Sequence, residues 1–156
     1  MKMQMERIVR APIDRTWQTM TNLRDAPERV SGIESVEILT EGPIGVGTRW
    51  RETRIMFGKE ATEEMTITAF DENRLMSTEA ESCGNQYLCS FHFEEVSDGT
   101  RVRMEIDARP QTFAAKLMTP IGWLMAPVMK KAIAKDLEDL ANHLEGGTGA
   151  TASSPA

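Results

Sequence analysis

Glu52, Arg54 and Glu63 are the residues of this 156-residue chain whose types and spacing best suit chemistry. They lie in two strand-like segments, near 47–56 and 60–70, separated by Phe57-Gly58. A turn at that break places Trp50 opposite Met65, Glu52 opposite Glu63 and Arg54 opposite Ala61. This register keeps Trp50, Met65 and Ile67 together on one apolar face. Two carboxylates then face each other, with a guanidinium as diagonal neighbour. Like charges that close raise one pKa, and the guanidinium lowers it again. Such a trio can orient a polar ligand head or move protons during a reaction. It also fits a solvated hairpin end whose ion pair carries little energy. The residues alone leave both readings open.

Other side chains are weighed the same way. Tyr87, the only tyrosine, offers its hydroxyl to a ligand or to a backbone carbonyl. Cys89 has no basic neighbour in sequence and reads as a small hydrophobe, not a nucleophile. Met104, Met118 and Met129 suit a core or an adaptable apolar pocket. Trp123 suits a pocket cover, a dimer contact or a membrane surface. The two histidines, His92 and His143, have no partner at zinc-ligand spacing and read as surface residues, so no metal is expected. The glycine-rich Gly42–Gly47 segment precedes a strand and lacks Gly-Lys-Ser/Thr, so neither a nucleotide nor any other cofactor is expected.

Composition narrows the field further. Net charge is −6 and no Lys/Arg run exceeds two residues, which argues against nucleic acid. The longest nearly uncharged run, Leu117 to Met129, has 13 residues and two prolines. That is short of the roughly 20 needed to span a bilayer. Cys83 and Cys89 show no redox or metal spacing, and no secretion signal is visible at the N-terminus. A reduced, cytoplasmic protein is the expectation.

The elements that must position these residues form a simple series. A first strand over 3–11 precedes a short helix opened by Pro12, with Ile13, Trp17 and Met20 as its buried stripe. A second short helix spans Ala26 to Val30. Six strand-like segments follow, near 33–41, 47–56, 60–70, 74–82, 86–96 and 100–109, with turn residues between them. Connections this short predict antiparallel pairing. In the last strand Val102, Met104, Ile106 and Ala108 alternate with charged residues, giving one dry and one wet face. The strand before it sets Tyr87, Cys89, Phe91 and Phe93 on one side. From Met129 onward, Ile133, Leu137, Leu140 and Leu144 continue a helical stripe that suits packing on a sheet. Upstream, Thr119-Pro120 and Ala126-Pro127 predict a kinked or broken helix over Phe113 to Ala126. Gly146 to Ala156 reads as a disordered tail.

This order of elements resembles the SRPBCC superfamily, the helix-grip fold of START-type and pollen-allergen-like proteins. Local wording agrees. Residues Ile8 to Trp17 (IVRAPIDRTW) look like that family's first strand and helix, and Glu41 to Trp50 (EGPIGVGTRW) like its glycine-rich hairpin. Phe70 to Leu75 (FDENRL) resembles a later hairpin, and Gly99-Thr100-Arg101-Val102 the opening of the last strand. The resemblance covers residues 5 to 145. It implies an α+β domain over residues 1–145, with a curved antiparallel sheet of about seven strands wrapped on a long C-terminal helix.

Within such a fold the expected function is binding or carriage of a small, mostly hydrophobic molecule between sheet and helix. The expected lining is Trp50, Glu52, Arg54, Met65, Tyr87, Cys89, Phe91, Met104, Met118, Trp123 and Met129. The alternative is a polyketide cyclase- or dehydratase-like enzyme using Glu52, Arg54, Glu63 and Tyr87. A third reading is an interaction module acting through the apolar segment 117–129. Whether the chain is catalytic, and whether it forms a homodimer, stays open at this level.

Overall fold

A computed structural model describes residues 2–56 and 58–153, with Met56 and residues 146–153 in their backbone only. Seven strands form one antiparallel sheet: β1 (Lys2–Val9), β2 (Ile33–Ile38), β3 (Arg49–Met56), β4 (Lys59–Asp71), β5 (Leu75–Ser82), β6 (Asn85–Val96) and β7 (Gly99–Pro110). Their spatial order is β1-β7-β6-β5-β4-β3-β2. Two short helices, α1 (Ile13–Thr21) and α2 (Ala26–Arg29), connect β1 to the opposite edge strand β2. After β7 come α3 (Phe113–Leu117) and the long α4 (Thr119–Ser153). The side chains of the expected tail, Gly146 to Ala156, lie outside the described residues, as does Phe57 of the β3–β4 turn.

The alternation in β6 and β7 works as the pattern predicts. Val102 is fully buried, and Phe93, Met104 and Ala108 are nearly so, while Arg101, Arg103 and Glu105 form ion pairs on the other face. Register slips between Ile67 and Ala69 and between Ile33 and Ser35 bend the sheet, because an extra residue on one strand increases local twist. Under that curve Trp17 of α1 packs edge-on against Phe93 at 5.1 Å and tilted against Phe70 at 5.0 Å.

Helix α4 packs on the curved sheet. Leu137, Leu140, Ala141 and Leu144 are buried, each large side chain contributing about 1.5–3 kcal/mol on leaving water. The helix approaches β1 most closely. Its C-terminal half is pinned by polar contacts: the Arg10 backbone N–H donates to Glu145 Oε1 at 2.9 Å, and Ser31 donates through its N–H (3.1 Å) and its hydroxyl (2.9 Å) to Asp139 Oδ2. Asp139 is therefore half-buried.

The expected break falls at Met118, between α3 and α4, and Pro127 is carried inside α4. Thr112 caps α3 by accepting from the Ala115 N–H at 3.1 Å. The same threonine's backbone, with that of Gln111, donates to the Gly84 carbonyl in the β5–β6 turn. Gly84 has φ of +76°, and a Cβ there would strike the Thr112 side chain, so this junction requires glycine.

Candidate functional site

Between α4 and the curved strands lies a cavity of about 300 Å³. Its walls come from nearly every element. Met20, Leu23, Val30 and Ile33 close the side nearest α1 and α2. Trp50, Met65, Met76, Cys89, Phe91, Met104 and Ile106 form the floor. Met129, Ile133, Leu137 and Leu140 of α4 form the roof. Five of the lining residues are methionines, whose unbranched thioethers fill irregular space adaptably.

One region of this wall is charged. The β3–β4 register is the one read from the sequence: Trp50 opposite Met65, Glu52 opposite Glu63, Arg54 opposite Ala61. The solvated-hairpin reading is thereby corrected, since Glu52, Arg54 and Glu63 all line the cavity and Glu52 is buried. The Arg54 Nε donates to Glu52 Oε1 at 2.7 Å, and its Nη2 donates to Asp136 Oδ2 of α4 at 2.7 Å. Arg29, also buried, donates to the backbone carbonyls of Asn22 (2.8 Å) and Met20 (3.0 Å) and faces the same space. Two guanidiniums thus meet three carboxylates in an otherwise apolar enclosure.

Electrostatics follow from that geometry. Burial would lower the Arg54 pKa, but Asp136 and Glu52 more than offset it and hold the guanidinium above its ordinary value. Burial raises the Asp136 carboxyl, with Arg54 opposing and Glu52 and Asp139 adding to the rise. Burial also lowers Arg29, against the pull of Asp25 and Glu52. Tyr87, at the cavity wall beside Glu63, is raised by burial first and by that carboxylate second, so its phenol keeps its proton. The Cys89 thiol is pushed up to about 12, mainly by burial and then by Asp136. Its remaining surface faces the cavity, and it is a packing group, as its sequence context indicated.

Most expected lining residues assemble here: Trp50, Glu52, Arg54, Met65, Tyr87, Cys89, Phe91, Met104 and Met129. Met118 and Trp123 do not. They stand on the outside of α3–α4, 54% and 63% exposed, so the expectation that they cover the pocket is corrected. The physical reason is that α4 meets the body only beyond Met129, leaving its first turns without a surface to pack on. Sequence reading missed Asp136, Arg29 and Thr78, all of which line the cavity. A signal existed for two of them. Asp136 follows Ile133 by three and precedes Leu140 by four, and Arg29 follows Ala26 by three, placing each on a buried stripe. Among the described residues no group of three His, Cys, Asp or Glu side chains is arranged to hold a metal ion.

Comparison with known proteins agrees with this architecture. The family model described as polyketide cyclase / dehydrase and lipid transport matches residues 1–145, and the chain belongs to that family. Its similar structures are of the SRPBCC, pollen-allergen-like kind. One is TTHA0849 from Thermus thermophilus, with TM-score 0.76 and 18% identity over 94% of this chain and 99% of that one. Another is Ara h 8.0201, with TM-score 0.70 and 17% identity over 94% and 98%. A third is the di-domain ARO/CYC StfQ from the steffimycin biosynthetic pathway, with TM-score 0.76 and 10% identity. The match covers 95% of this chain and 51% of StfQ. No curated protein matches the chain by sequence. The fold is a ligand-binding one, and among the described residues no helix is long and apolar enough to cross a membrane.

Proposed function

We propose that this protein binds and carries a small, largely apolar molecule in the cavity between its sheet and α4, as a single cytoplasmic domain over residues 1–145. The observation that carries this reading is the enclosure itself: about 300 Å³ walled mainly by aliphatic, aromatic and methionine side chains, with its charges gathered around Arg54. Pockets of this size and lining take small apolar ligands and fix them with a few polar contacts. Trp50, Met65, Cys89, Phe91, Met104 and Met129 supply the apolar contact, and Arg54, Glu52 and Tyr87 meet a polar end. Because Arg54 already serves two carboxylates, a neutral hydroxyl or carbonyl suits this end better than a carboxylate. No cofactor takes part in this reading.

A second reading is a cyclase- or dehydratase-like enzyme. Glu63 favours it: it lines the cavity beside Tyr87 and forms no ion pair among the described residues, leaving lone pairs for a proton. Two of the similar structures, StfQ and BexL, are di-domain ARO/CYC proteins.

Native mass spectrometry of freshly purified protein, combined with Nile red titration, tests the proposal. A bound small molecule and saturable micromolar-scale dye binding are expected. Arg54→Ala should weaken a hydroxyl- or carbonyl-bearing ligand about tenfold, since a charge-assisted hydrogen bond is worth about 1.5–3 kcal/mol. A purely apolar ligand should be unaffected. Turnover abolished by Glu63→Gln with binding intact would replace carriage with catalysis, and absence of any saturable binding would overturn both.

A further inference from the structure

The first turns of α4 and, apart from the buried Ala115, α3 are apolar on more than one side and stand uncovered among the described residues. Phe113, Leu117, Ile121, Trp123, Leu124 and Val128 are all exposed, Phe113 and Leu124 by more than three-quarters. A helix that is apolar all round is ordinarily buried in a core or in lipid. The segment's charge distinguishes between possible covers. Between Pro110 and Ala134 there is no acidic residue, and Lys116, Lys130 and Lys131 are exposed and form no ion pair among the described residues. The whole chain carries −6, so the rest of the surface is strongly acidic. A second copy meeting this patch to patch would bring lysines against lysines or leave them unused. An anionic surface attracts this segment and repels the remainder, which fixes the orientation of approach.

We infer that α3 and the first turns of α4 form a docking arm for anionic lipid bilayers. Trp123, Leu124 and their apolar neighbours sink roughly 5–10 Å into the headgroup boundary, while Lys116, Lys130 and Lys131 meet lipid phosphates or carboxylates. The arm is too short to span and contains Pro120 and Pro127, so it lies in the interface. It leads directly into Met129 and Ile133 of the cavity roof, so the docked arm sets the roof of the cavity against the bilayer. This inference builds on the proposed binding function, because the bilayer would be the place where the cavity exchanges its contents.

Co-sedimentation of the full chain with vesicles tests it without any cavity ligand. Binding is expected to phosphatidylcholine vesicles containing phosphatidylglycerol, and not to pure phosphatidylcholine, with release at high salt. Lys130→Ala with Lys131→Ala should weaken it by at least about tenfold, from roughly 1 kcal/mol per basic residue. Trp123→Ala with Leu124→Ala should do the same, and both pairs should melt like the parent because these side chains are exposed. Trp17 and Trp50 are buried, so a blue shift of tryptophan emission on binding must come from Trp123 and vanish in Trp123→Ala. Arg54→Ala should bind vesicles normally, which separates failure of the arm from failure of the cavity reading. Equal affinity for neutral vesicles, no vesicle binding, or a concentration-dependent dimer broken by Trp123→Ala in a protein without lipid affinity would overturn the inference.

Discussion

Arg54 of β3 holds Asp136 of α4 at 2.7 Å, joining sheet and helix across the cavity's polar end. The same guanidinium holds Glu52 at 2.7 Å, so one positive charge serves as counter-ion to two acids that the fold has largely taken out of water. Removing it leaves both without their partner.

Arg54→Ala should therefore destabilise the protein by about 3 kcal/mol, the lower end for breaking a buried pair. Urea denaturation checks this, and a loss below about 1 kcal/mol would mean that water replaces the guanidinium freely.

Asp136 and Asp139, one turn apart, should titrate on opposite sides of the usual aspartate value of 3.8. Burial raises Asp136, so its share of stability is greatest below 3.8 and declines as pH rises through its higher folded-state value. Asp139 is itself pushed up by burial, but the Ser31 hydrogen bonds and Lys135 bring it below 3.8. Its stabilisation is present above 3.8 and is lost as pH falls through the lower folded-state value. Carboxyl NMR titration should show that order, and Asp139→Asn should lose stability near neutral pH but little in strong acid.

Thiol reactivity should divide the two cysteines. Cys83 is exposed, whereas the Cys89 thiol is held near 12. At mildly alkaline pH, Cys83→Ser should leave a protein that reacts with a disulfide reagent at least about a hundredfold more slowly than the parent. A fast-reacting thiol in Cys83→Ser would show that the cavity is open to water and that the burial described for Cys89 is wrong.

Packing along α4 should separate its halves. Leu137 is nearly inaccessible, and Leu137→Asp places a charge against the sheet, costing several kcal/mol or preventing folding. Leu124→Asp, on the exposed arm, should stay within about 0.5 kcal/mol of the parent. Comparable melting of both would contradict the asymmetry of the helix.

How much of this can be read in the sequence varies with the physics involved. Period-two alternation and turn residues determine strand pairing, so the Trp50–Met65 register and the dry face of β7 are both legible. The resemblance places α4 over the sheet. Asp136 falls on the buried stripe of α4 by its spacing, but its role escapes such a reading because nothing in the sequence names Arg54 as its partner. Trp123 misleads for the converse reason. Apolar composition implies a covering surface, but sequence does not say that the covering surface belongs to the same chain.

The cavity has a thermodynamic consequence for finding what fills it. A molecule that fills an apolar cavity gives the wall atoms dispersion partners. Any molecule that enters the folded state alone adds stability by mass action, about 2.7 kcal/mol at a hundred times its dissociation constant. For a chain of this length that raises the melting temperature by roughly 5–10 °C. The unfolding transition is thus itself a detector, and a metabolite mixture that sharpens and raises it contains the ligand.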